Sequence, residues 1–164
     1  LKPAAFRCMG GGPPLKPPPG GAPAVRKKRQ TKILFNTSKE EYEARASIVE
    51  SAYIYKGCAI ALSDELDPGM SVVLPMAAND LLTLNGVDAS FVAVAKNGGV
   101  NISARSMGAL NVQVILEPLG GGGHLTMAGA QLKNCTIREA EARMREQIDL
   151  YRQNQAAGKA EARV

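Results

Sequence analysis

The spacing of apolar and polar positions changes period several times along the chain. Between Glu40 and Tyr55, the apolar side chains Tyr42, Ala46, Val49 and Tyr53 recur at helical spacing. Ser38 and Glu41, three residues apart, supply a capping box in front of them. This predicts a helix that Gly57 ends, followed by a short strand over Cys58–Leu62. Asp67-Pro68-Gly69 marks a turn, and Met70 to Leu84 reads as a helix that Pro75 kinks or starts late. The period then falls to two. Ala89–Ala95 and Val100–Arg105 read as strands, joined through Asn97-Gly98 in a hairpin. In the second strand Val100, Ile102 and Ala104 face one way. Asn101, Ser103 and Arg105 face the other, as a polar row open to a ligand.

Val112 to Leu119 reads as a short amphipathic helix, interrupted by Gly-Gly-Gly-Gly-His at 120–124. A new short helix is predicted over Leu125–Ala130, and a short strand over Leu132–Cys135. Thr136 and Glu139 form a second capping box. It opens a helix to about Gln155 with the apolar stripe Ile137, Ala140, Met144, Ile148 and Tyr151. Residues 156–164 are expected to fray. This order predicts an α/β fold: a mixed sheet containing a β-hairpin, with helices packed on it.

Composition divides the chain further. Seven of the ten prolines precede residue 24, and residues 1–32 read as a Gly/Pro-rich, basic, disordered tail ending near Arg26-Lys27-Lys28-Arg29. The net charge of +5 belongs to that tail. Residues 1–35 carry eight Lys/Arg and no acid, which leaves 12 basic and 15 acidic side chains, a net of −3, for 36–164. A basic charge balance is therefore no argument for nucleic-acid binding by the folded part. The four segments expected are the tail at 1–32, a linker helix at 33–56, a substrate-binding domain at 57–155 and a frayed end at 156–164. The chain starts at Leu1 rather than at a methionine, and a fragment of a longer chain is expected. Three separated cysteines, Cys8, Cys58 and Cys135, argue against a disulfide scaffold or a zinc site and fit a cytoplasmic protein. No apolar run approaches the ~20 residues that cross a bilayer, so no membrane contact is expected of this segment.

Candidate chemistry concentrates at two places. In the glycine run, the backbone is free to take positive φ and a ligand can come close. If a helix opens at Leu125, its unpaired amides and the ring of His124, the only histidine, form an anion site in the first turn. The second place is Ser103-Ala104-Arg105-Ser106, where a guanidinium suited to bidentate phosphate binding sits between two hydroxyls. A solvated loop and a solvated arginine are the plain alternatives. The loop matches neither a Walker A nor a dinucleotide fingerprint. Five scattered aspartates and one histidine do not make a two-metal site. No G-x-S-x-G elbow exists, and a Cys135–His124 nucleophile pair is the weaker catalytic reading.

Taken together, S-F-V at 90–92, I-S-A-R-S at 102–106, N-V-Q-V-I at 111–115, G-G-G-G-H-L-T at 120–126 and A-G-A at 128–130 resemble the DHHA1 domain, the substrate-binding half of DHH phosphoesterases. The pattern resembles most the cyclic-di-AMP phosphodiesterases of bacteria, membrane-anchored proteins with this domain on the cytoplasmic side. The run Glu40–Tyr55 is similar to the segment joining their two halves, and the likeness covers roughly residues 33–154. The resemblance implies a division of labour in which the DHH half binds Mn2+ and activates water while the DHHA1 half holds the nucleotide. By matching positions it implies substrate binding by Ser103, Arg105 and Ser106 and by Gly121, Gly122, Gly123 and His124, with no catalytic or metal-ligating residue. The Asp-His-His motif of the DHH half is absent from these 164 residues, so hydrolysis would need a DHH partner domain. The implied ligand is a cyclic or linear dinucleotide. Single-stranded nucleic acid is the alternative, because DHHA1 domains also occur in exonucleases and oligoribonucleases. The few aromatics for stacking, Phe35, Phe91 and four tyrosines among them, weigh against it.

Overall fold

A computed structural model describes residues 37–64 and 66–161. The basic tail, the Arg26–Arg29 cluster and Cys8 lie outside the described residues. Helix α1 spans Lys39–Glu50 and opens with the capping box. The Ser38 Oγ accepts from the Glu41 N–H at 3.1 Å, and the Glu41 carboxylate accepts from the Ser38 N–H at 3.0 Å. The helix stops short of Tyr55. Tyr53–Tyr55 is strand β1, paired antiparallel with β2, Cys58–Ser63. The proposed linker helix at 33–56 is corrected accordingly. Lys56 and Gly57 both take positive φ, 49° and 75°, which is the turn that matches the twist of two antiparallel strands. The aromatic residues Tyr53 and Tyr55 fit a pleated edge better than a helix interior.

After a short 3-10 turn at Pro68–Met70, helix α2 occupies Val73–Leu81, narrower than the predicted Met70–Leu84. Pro75 lies within its first turn, where the missing N–H costs nothing. Helix α2 is the crossover between β2 and the parallel strand β3, Ala89–Lys96. Asn97 and Gly98, with φ of 49° and 73°, turn the chain into β4, Gly99–Ser106. The predicted hairpin is present. Helix α3, Val112–Leu116, is capped by Asn111 and continues as a 3-10 turn to Leu119.

The segment after α3 departs most from expectation. Gly122–His124 is strand β5, and Met127–Leu132 is strand β6, pairing with β5 on one side and β4 on the other. The helix predicted over Leu125–Ala130 and the strand predicted over Leu132–Cys135 are both corrected. Residues 127–132 alternate between exposed and buried, a strand pattern that their small side chains obscured. The final helix, α4, spans Ile137–Glu161, so helix covers most of the end expected to fray. The Thr136–Glu139 capping box opens it.

The sheet runs β1-β2-β3-β4-β6-β5. Helices α3 and α4 cover one face, where Phe91, Ile60, Leu116 and the buried stripe Ala140, Met144 and Ile148 form the larger core. Helices α1 and α2 cover the other face over β2 and β3, through Ile48, Val73, Leu81 and Val92. Helix α2 also reaches β4, whose Asn101, Ser103 and Arg105 are half-buried, and the second face opens over β6, where Met127, Gly129 and Gln131 are exposed.

Edge strand β1 is tied to α4 by side chains. The Tyr53 hydroxyl donates to the Glu141 carboxylate, and Tyr55 donates to Asp149 at 3.0 Å. Lys56 pairs with Asp149 at 2.6 Å, and the Arg145 guanidinium lies 4.3 Å from the Tyr55 ring centroid. Burial, reinforced by the Glu141 hydrogen bond and charge, pushes the Tyr53 phenol up from 10.0 to about 12. The folded state therefore keeps this proton where the unfolded chain has lost it. Tyr53 contributes stability below pH 10 that is lost as pH rises toward about 12. Urea unfolding across that window should show a falling midpoint, and Tyr53→Phe should remove part of the fall. A midpoint in the variant as steep in pH as in the parent would contradict this.

Candidate functional site

The register of the three open strands sets the site. Arg105 of β4 stands opposite Met127 of β6, which stands opposite His124 of β5. Residues directly opposite share a face, so Arg105 and His124 flank Met127 in one row, two strand spacings or ~10 Å apart. The next row is Ser103, Gly129 and Gly122, and the row beyond pairs Asn101 with Gln131. Helix α2 borders this floor with Leu74 and Pro75. The resulting open groove has a volume of about 440 Å³ and includes Ser103, Gly121, Gly122, Gly129, Asn101 and Gln131. Arg105 and His124 lie one row further along, at its end.

Arg105 is half-buried, and its guanidinium donates to the Ala104 carbonyl at 2.9 Å and, at 3.4 Å, to the Ser103 hydroxyl. Burial holds it below the ordinary arginine value. Every ion pair among the described residues uses another cation: Lys39, Arg45, Lys56, Arg145 or Arg152. Among the described residues, the partly desolvated charge of Arg105 is answered by neutral acceptors. Such a cation favours an incoming anion more than a fully hydrated one would.

The four glycines divide by face. A Cβ on Gly122 would meet nothing within 4 Å, so this residue keeps the groove floor low. Gly121 and Gly123 face the core side. A Cβ on Gly121 would lie 2.6 Å from the Gly129 carbonyl oxygen, and one on Gly123 would lie 2.3 Å from that of Met127. Gly120, with φ of 77°, ends the 3-10 turn. His124 is an exposed member of β5. The placement of His124 in the first turn of a helix is therefore corrected, and no helix N-terminus supplies the amides. Strand β5 is instead the edge of the sheet, and its outward backbone side has no strand partner among the described residues.

Ser106 lies on the opposite face from Ser103 and Arg105. It is 5% exposed, and its hydroxyl accepts from the N–H groups of Gly108 at 2.9 Å and Leu110 at 3.4 Å. Cys135 is buried in the larger core, with its thiol directed to the Thr136 carbonyl, and does not join His124. Burial raises the Cys58 thiol to about 11, which keeps it protonated and unreactive near neutral pH. Sequence reasoning missed Met127, Gly129 and Gln131 as floor residues. The signal was present in the alternation of Met127, Gly129 and Gln131 with Ala128, Ala130 and Leu132.

Among the described residues, no group of three or more His, Cys, Asp and Glu side chains is placed to hold a metal ion. Asp80, Asp88 and Asp149 are each paired with a cation. The described residues do not fit the manganese that the family resemblance implies for the DHH half. A larger hollow of about 640 Å³ lies between Tyr55 and α4, but its Arg145 and Asp149 already have partners in Glu141 and Lys56. No described helix is long and apolar enough to cross a membrane.

Comparison with known proteins identifies the family and the fold. The chain is 50% identical over 120 residues to the cyclic-di-AMP phosphodiesterase GdpP of Geobacillus thermodenitrificans, a match covering 72% of this chain and 18% of that protein. It is 46% identical over 112 residues to the cyclic-di-AMP phosphodiesterase PdeA of Listeria monocytogenes, covering 67% and 17%. The chain therefore spans less than a fifth of the length of these relatives. In three dimensions it is similar to an exopolyphosphatase-related protein of Bacteroides fragilis, with a TM-score of 0.67 at 20% identity, covering 76% of this chain and 39% of that one. That likeness shows the fold. The DHHA1 domain family model matches residues 55–154, which take in strands β4, β5 and β6 and the whole glycine run. The chain belongs to the DHHA1 domain family.

Proposed function

We propose that this chain is the substrate-holding module of a DHH-type phosphodiesterase that hydrolyses cyclic-di-AMP to the linear dinucleotide pApA. The observation that carries the reading is Arg105, a half-buried cation without a carboxylate partner among the described residues, in register with His124 beside a glycine floor. In this reading Arg105 and His124 contact a phosphate, with Arg105 as the charged fork and His124 as a neutral or charged donor. Ser103 orients Arg105, and Gly122 leaves room for the ligand. Gly121 and Gly123 allow β5 to lie close on β6. Ser106 acts from below, by holding the loop that follows β4. The two relatives named above, both cyclic-di-AMP phosphodiesterases, support the choice of ligand. The reading carries a cytoplasmic location with it.

Cleavage of the phosphodiester belongs to a DHH domain, with its Mn2+, that these residues do not supply. The purified chain is expected to bind pApA and cyclic-di-AMP in isothermal titration, with inorganic phosphate as a competitor. With manganese alone it is expected to leave cyclic-di-AMP intact. Turnover by this chain, or absence of binding by either dinucleotide, would overturn the assignment. Single-stranded nucleic acid has no specific observation in its favour on this face.

A further inference from the structure

The groove continues past the phosphate row to a pair of side chains that the function above does not use. Asn101 and Gln131 stand directly opposite each other on β4 and β6. They share the open face with Ser103 and Arg105, and both line the groove. Neither side-chain amide takes part in any hydrogen bond within the protein among the described residues. Asparagine is disfavoured inside a strand. Here it is half-buried, next to the core residues Val100 and Ile102. Gln131 is exposed and Asn101 half-buried, so both amides are open to a ligand in the groove.

We infer that Asn101 and Gln131 form a nucleobase subsite, specific for a base that presents a donor beside an acceptor, as adenine does. This rests on the reading of Arg105 and His124 as the phosphate site. Asparagine and glutamine amides each carry a donor and an acceptor and pair in bidentate fashion with the amine and adjacent ring nitrogen of adenine. From Arg105 to Asn101 is four residues along one strand, ~13 Å. That is the span of an extended nucleoside monophosphate once the Arg105 side chain reaches inward. Between the two rows the floor is Ser103, Gly129 and Gly122, so a single short side chain lies under the sugar. Leu74 and Pro75, at the start of α2, give the base an apolar wall on one side.

The test uses the full chain and three ligands: adenosine monophosphate, ribose 5-phosphate, and purine riboside monophosphate, which lacks the exocyclic amine. Affinities come from NMR titration, with the side-chain amide resonances of Asn101 and Gln131 followed directly. The parent is expected to bind adenosine monophosphate at least tenfold more tightly than the other two. The Asn101→Ala/Gln131→Ala double variant is expected to bind adenosine monophosphate and purine riboside monophosphate alike, at the purine riboside monophosphate affinity of the parent. A double variant that still prefers adenosine monophosphate to purine riboside monophosphate overturns the base subsite. So does a parent that binds all three ligands equally. In both cases a loss of ribose 5-phosphate binding in Arg105→Ala leaves the phosphate reading standing. A parent that binds none of the three overturns both.

Discussion

Arg105→Ala should weaken binding of pApA about 100-fold while the protein stays folded. The guanidinium meets a phosphate through charge-assisted hydrogen bonds, worth roughly 1.5–3 kcal/mol each in mutational series. Loss of about 2.8 kcal/mol corresponds to the 100-fold change, at about 1.4 kcal/mol per tenfold. The fold should tolerate the change because no carboxylate is left orphaned. The described partners of Arg105 are the Ala104 carbonyl and, at longer range, the Ser103 hydroxyl. Burial already disfavours its charged form, so its removal lifts a desolvation cost as it loses those bonds. Arg105→Lys keeps the charge but not the planar fork, and should lose about tenfold. Isothermal titration of the two variants, with thermal unfolding as the folding control, reads both effects. A well-folded Arg105→Ala protein with the affinity of the parent would remove Arg105 from the site and the phosphate reading with it.

What the sequence shows of this fold depends on how local the cause is. Both capping boxes and the Asn97-Gly98 turn are complete within four residues, and all three form as predicted. The apolar stripe of α4 is equally plain because one helix face alone must meet the core. Strand β1 is hidden because three residues make a strand only when β2 lies alongside. Leu125–Ala130 is hidden for a related reason. Leu, Met and Ala favour a helix intrinsically, and only pairing with β4 and β5 on both sides makes Met127–Leu132 a strand.

The site follows the same division. The alternation Asn101, Ser103, Arg105 exposes the polar row of β4 without any tertiary information. The glycine run singles out His124, but neither its place in the row of Arg105 nor its setting on a strand is legible there. On the proposed reading, a phosphate would meet a side-chain cation beside an edge strand rather than the dipole of a helix. The consequence is practical, since charge reversal at Arg105 should matter far more than any change to the residues that follow His124.

Gly123→Ala should destabilise the protein by about 2–5 kcal/mol, whereas Gly122→Ala, one residue away, should leave stability within about 0.5 kcal/mol of the parent. Gly123 has φ of 147°, a conformation that L side chains rarely adopt. Its added methyl would also lie 2.3 Å from the Met127 carbonyl oxygen and 2.6 Å from the Ala128 Cα, both backbone atoms that cannot swing aside. The strain and the overlap, ~1–3 kcal/mol each, act at one place and push β5 away from β6. At Gly122 the new methyl enters open space over the groove floor. The fold is indifferent to it, but a ligand lying on that floor is not, so pApA affinity should fall in Gly122→Val more than in Gly122→Ala. Denaturant unfolding and dinucleotide titration on the same three variants separate the two roles. If Gly122→Val binds pApA as the parent does, the ligand does not cross the glycine floor. If Gly123→Ala is as stable as the parent, the close approach of β5 to β6 is not what the glycine run secures.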